Sequence, residues 1–353
     1  MKAARLHKVG EPMIIDDIPV PKIGRREVLI QVKACGICGS DIHIAIEGTS
    51  KTGYLPITLG HEPSGVISEV GEDVEGWNIG DRVVPSPAIA CGRCYNCLKG
   101  KGVTICINKK VIGLHIDGAL AEYLKIPAEN LLRLPEEIDF IKGAVLIDAV
   151  ATPFHAINSR AQLKLGETIA IIGCGGLGTH AVQIAKIAGA SKIIAVDRVD
   201  EVLERTIRLG ADHVINSSKD DAVESIKALT MGKGVDVSIE CVGKAETIDQ
   251  SIRCLKLGGR SAVVGLSMEP ITLPPPGIYV RSEFCLMGSR GADLDEKQKV
   301  IDLVASGKLD LKETISKVIP LEKINEGLSQ LERQEGYPVR IVIDMEKLGD
   351  DTK

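Results

Sequence analysis

Four cysteines, Cys91, Cys94, Cys97 and Cys106, fall within sixteen residues, the first three spaced as two overlapping Cys-x-x-Cys pairs. Soft thiolates this close suit a closed tetrahedral zinc, which has no open position for a substrate and so holds a loop together. A second set of donors is dispersed. Cys38 lies in Gly36-Ile37-Cys38-Gly39-Ser40-Asp41-Ile42-His43 and His61 in Gly60-His61-Glu62-Pro63. One thiolate and one imidazole leave room for a third protein ligand and an exchangeable fourth position, which is what a catalytic zinc requires. A third pattern, Gly173-Cys174-Gly175-Gly176-Leu177-Gly178, can cradle a dinucleotide pyrophosphate. Gly173 permits the tight turn, Gly175 lets the backbone approach the phosphates, and Gly178 allows close helix–strand packing. Asp197, 19 residues after Gly178, can hydrogen-bond the adenosine ribose and would repel a ribose phosphate, which favours NAD over NADP. Arg198 beside it could tolerate that extra phosphate.

These patterns need particular elements beneath them. Residues 168–172, 179–188, 192–196 and 199–209 alternate strand and helix character, as parallel βαβ units do, and residues 235–240 and 260–265 read as later strands of the same sheet. The glycine pattern follows the first strand and opens the first helix, so the helix's unpaired N–H groups and positive dipole end meet the phosphates. Before about residue 150 the chain is broken by turn signals at Gly71-Glu72-Asp73, Gly80-Asp81 and Asp117-Gly118, with short apolar runs at 28–32, 65–70 and 82–84. That half reads as β-rich. Beyond about residue 288, two amphipathic segments, 295–306 and 321–331, precede a last strand at 339–344.

A chain of 353 residues, 44% hydrophobic, can bury the cores of two domains. Its net charge of −5, without a run of like charge, offers no footprint for nucleic acid or an anionic membrane, so a small-molecule partner is expected. The first 17 residues carry Lys2, Arg5, Lys8, Glu11, Asp16 and Asp17 and lack a secretory apolar core, and no stretch is expected to reach membrane-spanning length. Ten cysteines in such a chain read as metal ligands and buried thiols, and the expected location is the cytoplasm.

Together with Asp117-Gly118-Ala119-Leu120-Ala121-Glu122-Tyr123, the stretches quoted above resemble the zinc-containing medium-chain alcohol dehydrogenases over nearly the whole chain. The sorbitol, threonine and microbial secondary-alcohol branches are nearest in character. The resemblance implies an α/β fold in which a Rossmann-type doubly wound parallel sheet, residues 150–288, is inserted into a β-rich GroES-like catalytic domain formed by residues 1–149 and 289–353. It implies two zinc ions per chain, NAD as cofactor, and a homodimer or homotetramer. Cys38 and His61 match catalytic zinc ligands. Asp148 stands at the third ligand position, a cysteine in some branches and an acid in others, and Glu62 matches a neighbouring acid that approaches the metal. Whether Asp148 or Glu62 completes the site stays open, since an Asp at position 148 also suits a helix start.

The resemblance further matches Ser40 to the hydroxyl that touches zinc-bound substrate and His43 to the solvent end of a proton relay. Thr152, Leu177 and Val242 fall where the family packs the nicotinamide, Val264 is assigned to the cofactor with them, and Arg340 matches a pyrophosphate-contacting arginine. There are departures. Eight residues separate Cys97 from Cys106 where seven is commoner, and Gly39 replaces an arginine that some members use for the pyrophosphate. With 3% aromatic residues, the pocket wall is expected near Ile46, Pro87, Ile89 and Ile116. His115 and His155 read as structural or pocket-lining, and His7, His180 and His213 have no evident chemical neighbours. The reading is hydride transfer between a secondary alcohol or polyol, or its ketone, and NAD. The alternatives are a threonine dehydrogenase, an alicyclic hydroxyacyl-thioester dehydrogenase, or a non-enzymatic nucleotide sensor on the same fold.

Overall fold

The computed structural model describes residues 1–347. By its internal contacts the chain divides into one unit of Met1–Asp148 with Ala292–Lys353 and another of Ala149–Gly291. The first unit's main sheet runs, in spatial order, Leu131–Arg133, Arg82–Pro85, Glu62–Val70, Glu27–Ile37, Arg340–Asp344 and Ile315–Ile319, with Tyr123–Pro127 also paired to Glu27–Ile37. Val28, Ile30, Val32, Cys35 and Ile37 of the long strand enter a core shared with Leu6, Ile57, Leu120, Leu124 and Ile341.

Register positions the chemistry. Gly36 lies opposite Glu62, and Ile37 opposite Ile341. The end of the long strand therefore meets the starts of both neighbours, and Cys38, His61–Glu62 and Arg340 converge although they are far apart in sequence. A Cβ on Gly36 would stand 2.2 Å from Glu62 Oε2, so only glycine leaves room for that carboxylate.

The second unit is built on a fully parallel sheet ordered His213–Asn216, Lys192–Asp197, Thr168–Ile172, Val235–Glu240, Leu255–Val263 and Cys285–Gly288. In chain order this is 3-2-1-4-5-6, the doubly wound Rossmann arrangement. Ile169, Ala170 and Ile171 are fully buried, as expected of a strand covered on both faces.

One expectation is corrected. The helical segment Phe140–Arg160 spans 21 residues at mean hydropathy 1.4, long and apolar enough by composition to cross a bilayer, yet 78% of its apolar window is buried inside the protein. It is a core helix. Its first part docks on the strand that begins at Glu62: Ser64 Oγ donates to the Phe140 carbonyl at 2.5 Å, and a Cβ on Gly143 would meet Ser64 Cβ at 3.1 Å. Leu146–Val150 then loosens into a π-turn containing Asp148, a distortion that commonly re-aims a side chain at a functional site. Asp148 therefore sits inside a helix and does not cap one.

Candidate active site

Cys38 is the N-cap of the short helix Gly39–Ala45, where its backbone N–H donates to Asp41 Oδ2 at 2.9 Å. Its sulfur lies 3.5 Å from Asp148 Oδ2, and His61 Nε2 lies 3.8 Å from the same oxygen. A tetrahedral zinc with ordinary bond lengths would space such ligand atoms by about 3.4–3.8 Å. The donor set fits the metal. Cys38, His61, Glu62 and Asp148 each offer an atom, all within 4.8 Å of one another.

Glu62 is fully buried, and its carboxylate faces Arg340, whose Nη2 lies 3.0 Å from Oε1 and whose Nε donates to Oε2 at 3.1 Å. Asp148 has less binding competition from that cation, at 3.7 Å. Burial pushes Glu62 up to about 7 against the pull of Arg340. Burial opposes charge on Asp148 too, but the hydrogen bond and charge of His61, with Arg340, hold it well below the usual carboxylate range. Burial raises the Cys38 thiol while Arg340 pulls it back. On His61 burial works against a proton, but Asp41 and Asp148 overcome it and raise the imidazole. A metal entering here displaces protons from thiol and ring.

Arg340, matched in the sequence to a pyrophosphate contact, is 3% exposed and spends its guanidinium on Glu62, Cys38 Sγ (3.6 Å) and Asp148. Sheet register puts it there, one residue before Ile341. There its positive charge faces the negative charge of these candidate ligands. Ser40 Oγ contacts both Cys38 Sγ (3.1 Å) and His61 Nε2 (3.2 Å), so the hydroxyl stands at the ligand cluster. His43, one turn further on, is half-buried with Nδ1 2.7 Å from Glu47 Oε2. Sequence reasoning passed over Asp41. This fully buried acid has Oδ1 3.5 Å from His61 Nδ1, where a carboxylate can orient an imidazole that binds metal. Its place three residues after Cys38, on a short helix, was the available signal.

The four-cysteine cluster is compact. Its Sγ atoms lie 3.5 Å (Cys94–Cys97), 3.9 Å (Cys94–Cys106) and 4.0 Å (Cys91–Cys97) apart, near the roughly 3.8 Å edges of a tetrahedral zinc–thiolate site and far beyond a disulfide bond. Backbone N–H groups of Cys97 and Ile107 bring the Cys94 thiol down to about 6. The longer loop to Cys106 turns through Gly102, at φ +83, where a Cβ would strike the Asp293 carboxylate at 2.2 Å. Asp293 in turn accepts from the Val103 and Thr104 amides.

In the nucleotide unit, Gly173, Asp197, Val242 and Val264 lie at or just beyond the carboxyl ends of four adjacent parallel strands, where doubly wound sheets bind ligands. Gly173 has φ +84, and a Cβ on Gly178 would lie 1.9 Å from the Gly173 carbonyl oxygen. Nothing lies within 4 Å of the position a Gly175 Cβ would take, so that turn is open. Leu177 N-caps the helix Gly178–Ile187, Gly176 holds His180 Nδ1 at 2.9 Å, and Thr152 is buried. His180 therefore does have a neighbour, within the glycine-rich turn itself. Asp197 accepts from the amides of Cys174 (2.8 Å) and Arg198 (2.7 Å), which fixes its carboxylate beside the turn, while the Arg198 residue is exposed.

Comparison with known proteins identifies the family. Residues 24–136 match the alcohol dehydrogenase GroES-like domain family, and residues 176–306 match the zinc-binding dehydrogenase family. An NAD-dependent alcohol dehydrogenase of Sulfurisphaera tokodaii is 35% identical over 94% of this chain and 96% of its own length. A sorbitol dehydrogenase of Bacillus subtilis is 36% identical over 94% of this chain and 93% of its own. Among solved structures, a zinc-binding dehydrogenase from Sinorhizobium meliloti bound to NADP superposes with TM-score 0.90 at 33% identity, covering 97% of this chain and 98% of that one.

Proposed function

The chain belongs to the zinc-containing alcohol dehydrogenase family, and on that footing we propose that it passes a hydride between a secondary alcohol or polyol and NAD. The observation that carries this is the convergence of Cys38, His61 and Asp148, with Ser40 Oγ touching two of the three. When bound, zinc supplies Lewis-acid stabilisation of an alkoxide and NAD accepts the hydride.

The chain's own residues do the rest. Cys38, His61 and Asp148 hold the metal, and Asp41 fixes the ring of His61. Arg340 engages the Glu62 carboxylate through Nε and Nη2, so that Glu62 serves as a neighbour and not as the third ligand. Ser40 receives the substrate's hydroxyl proton, and His43, partly open to solvent, passes it outward. Cys91, Cys94, Cys97 and Cys106 hold a second, structural zinc. Gly173 to Gly178 cradle the pyrophosphate, and the amide-held carboxylate of Asp197 reads the ribose and selects NAD.

We also infer a homodimer or homotetramer, supported by the edge strand Cys285–Gly288 and the exposed Leu266, Met268 and Val280 beside it. Ten cysteines, none in a disulfide, support a reducing, cytoplasmic setting. Threonine and alicyclic hydroxyacyl thioesters remain the alternative substrates, with the same zinc and NAD residues.

The test is a panel of secondary alcohols, polyols, threonine and alicyclic hydroxyacyl thioesters, assayed by NADH absorbance with NAD and by the same method with NADP. Turnover of at least one secondary alcohol or polyol, faster with NAD, is the expected result. Turnover confined to threonine or a thioester would move the chain to one of the alternatives, and a preference for NADP would remove the role given to Asp197.

A further inference from the structure

Lys297 has no part in the chemistry above. It lies in the first turn of the helix Leu294–Ala305, is 2% exposed, and donates from Nζ to Ser86 Oγ at 2.6 Å. Ser86 is itself fully buried, and its backbone is tied to Asn130, whose carbonyl accepts from the Ser86 amide and whose side chain donates to the Ser86 carbonyl. Among the described residues, no carboxylate lies within ion-pair distance of this ammonium, and no acceptor takes the Ser86 hydroxyl hydrogen. The carboxylates that act on Lys297 from further away are those of Asp148, foremost, then Asp293 and Glu296. They are engaged elsewhere. Asp148 faces His61 and Arg340, Asp293 holds the Val103 and Thr104 amides, and Glu296 closes the helix's capping box.

A buried ammonium without a counter-ion is costly, and buried polar groups in folded proteins are nearly always satisfied. Burial pulls Lys297 down to about 8, which still leaves it charged at neutral pH. The pair thus presents spare N–H donors and a spare O–H donor, in the same unit as the candidate metal ligands. Donors without acceptors call for a ligand that brings oxygen acceptors and negative charge. The two oxygens of a planar carboxylate match an ammonium and a hydroxyl that already touch each other.

We propose that Lys297 and Ser86 form an anion-recognising subsite for the substrate, and that the alcohol this protein oxidises carries a carboxylate which the pair binds. The inference rests on the alcohol-oxidising role given to the metal cluster. It adds a substrate class to that role: a hydroxy acid whose hydroxyl goes to the metal ligands and whose carboxylate goes to Lys297.

The experiment compares short hydroxy acids with their own methyl esters, so that only the charge differs. Wild type should prefer the acid, and Lys297→Met should lower the acid-to-ester ratio of kcat/KM by about tenfold to a hundredfold, the range for a lost charge-assisted hydrogen bond. Ser86→Ala, the milder change, should lower it in the same direction by less. If Lys297 only braces the helix or tunes the metal ligands, both members of each pair fall alike and the ratio stays put, which overturns the proposal. A wild-type preference for the esters overturns it as well. In parallel, butyrate is titrated calorimetrically into the zinc- and NADH-loaded protein. Binding weakened about tenfold or more in Lys297→Met supports the subsite, and equal binding in both proteins refutes it. This titration needs no turnover, so a missing alcohol dehydrogenase activity and a missing anion site give different results.

Discussion

Asp148→Ala is expected to loosen the catalytic zinc and to eliminate most hydride transfer, while NAD still binds. Asp148 Oδ2 stands 3.5 Å from Cys38 Sγ and 3.8 Å from His61 Nε2, and His61 and Arg340 keep the carboxylate ionised. Its loss leaves one thiolate and one imidazole as the sure protein ligands. Changing a group that merely supports a ligand typically costs about 10–100-fold in metal affinity or activity, so removing a ligand should cost at least about a hundredfold. Asp148→Cys should restore part of the zinc affinity, because thiolate is a good zinc ligand, with turnover still impaired by altered softness and packing. The check is zinc content after dialysis, alongside kcat with a secondary alcohol. Full zinc and near-normal turnover in Asp148→Ala would make Glu62 the third ligand, despite its hold on Arg340.

The second large effect separates the two cysteine sets. Cys38→Ser should abolish turnover with little loss of fold, since Cys38 belongs to the site proposed for the catalytic zinc. Cys106→Ser should leave the chemistry in place but release the loop that its cluster closes. The hydrogen bonds that also hold the loop, from the Val103 and Thr104 amides to Asp293 and from Asn96 Nδ2 to the Ile105 carbonyl, are each weaker than a metal–thiolate bond. Loss of a structural metal belongs among the largest single-site effects, several kcal/mol, and a fall of about 10 °C in the thermal midpoint is expected. Thermal scans and initial rates on the two variants measure this contrast. A Cys106→Ser protein with an unchanged midpoint would remove the structural zinc, and an active Cys38→Ser protein would remove the catalytic one.

The parts of this protein that were legible in the sequence are those whose physics is local. The strand at 168–172, the glycines after it and the helix they open announce themselves through β-branched runs and a turn only glycine can make. The cysteines at 91, 94, 97 and 106 announce themselves by spacing. Other features depend on pairing across the sheet, which no local pattern reports. Arg340 stands among the candidate metal ligands because Ile341 is registered against Ile37, and the residues next to it in sequence carry no trace of that partner. The segment 140–160 escaped notice as a long helix because its polar residues interrupt an apolar run whose burial only the packed fold reveals. Asp148 is aimed by a π-turn, a departure from the helical period on which sequence reading relies. Lys297 sits on an amphipathic helix, where a lysine ordinarily marks the solvent face, so its burial ran against the pattern.

The most direct test of the central claim is to count zinc in the purified protein, remove it with a chelator, and follow NADH formation from a secondary alcohol before removal, after removal, and after zinc is returned. A catalytic zinc on Cys38, His61 and Asp148, with a structural one on the four cysteines, predicts two zinc ions per chain, activity lost with the metal, and activity regained when zinc is restored. Undiminished NADH formation by the metal-free protein would contradict it.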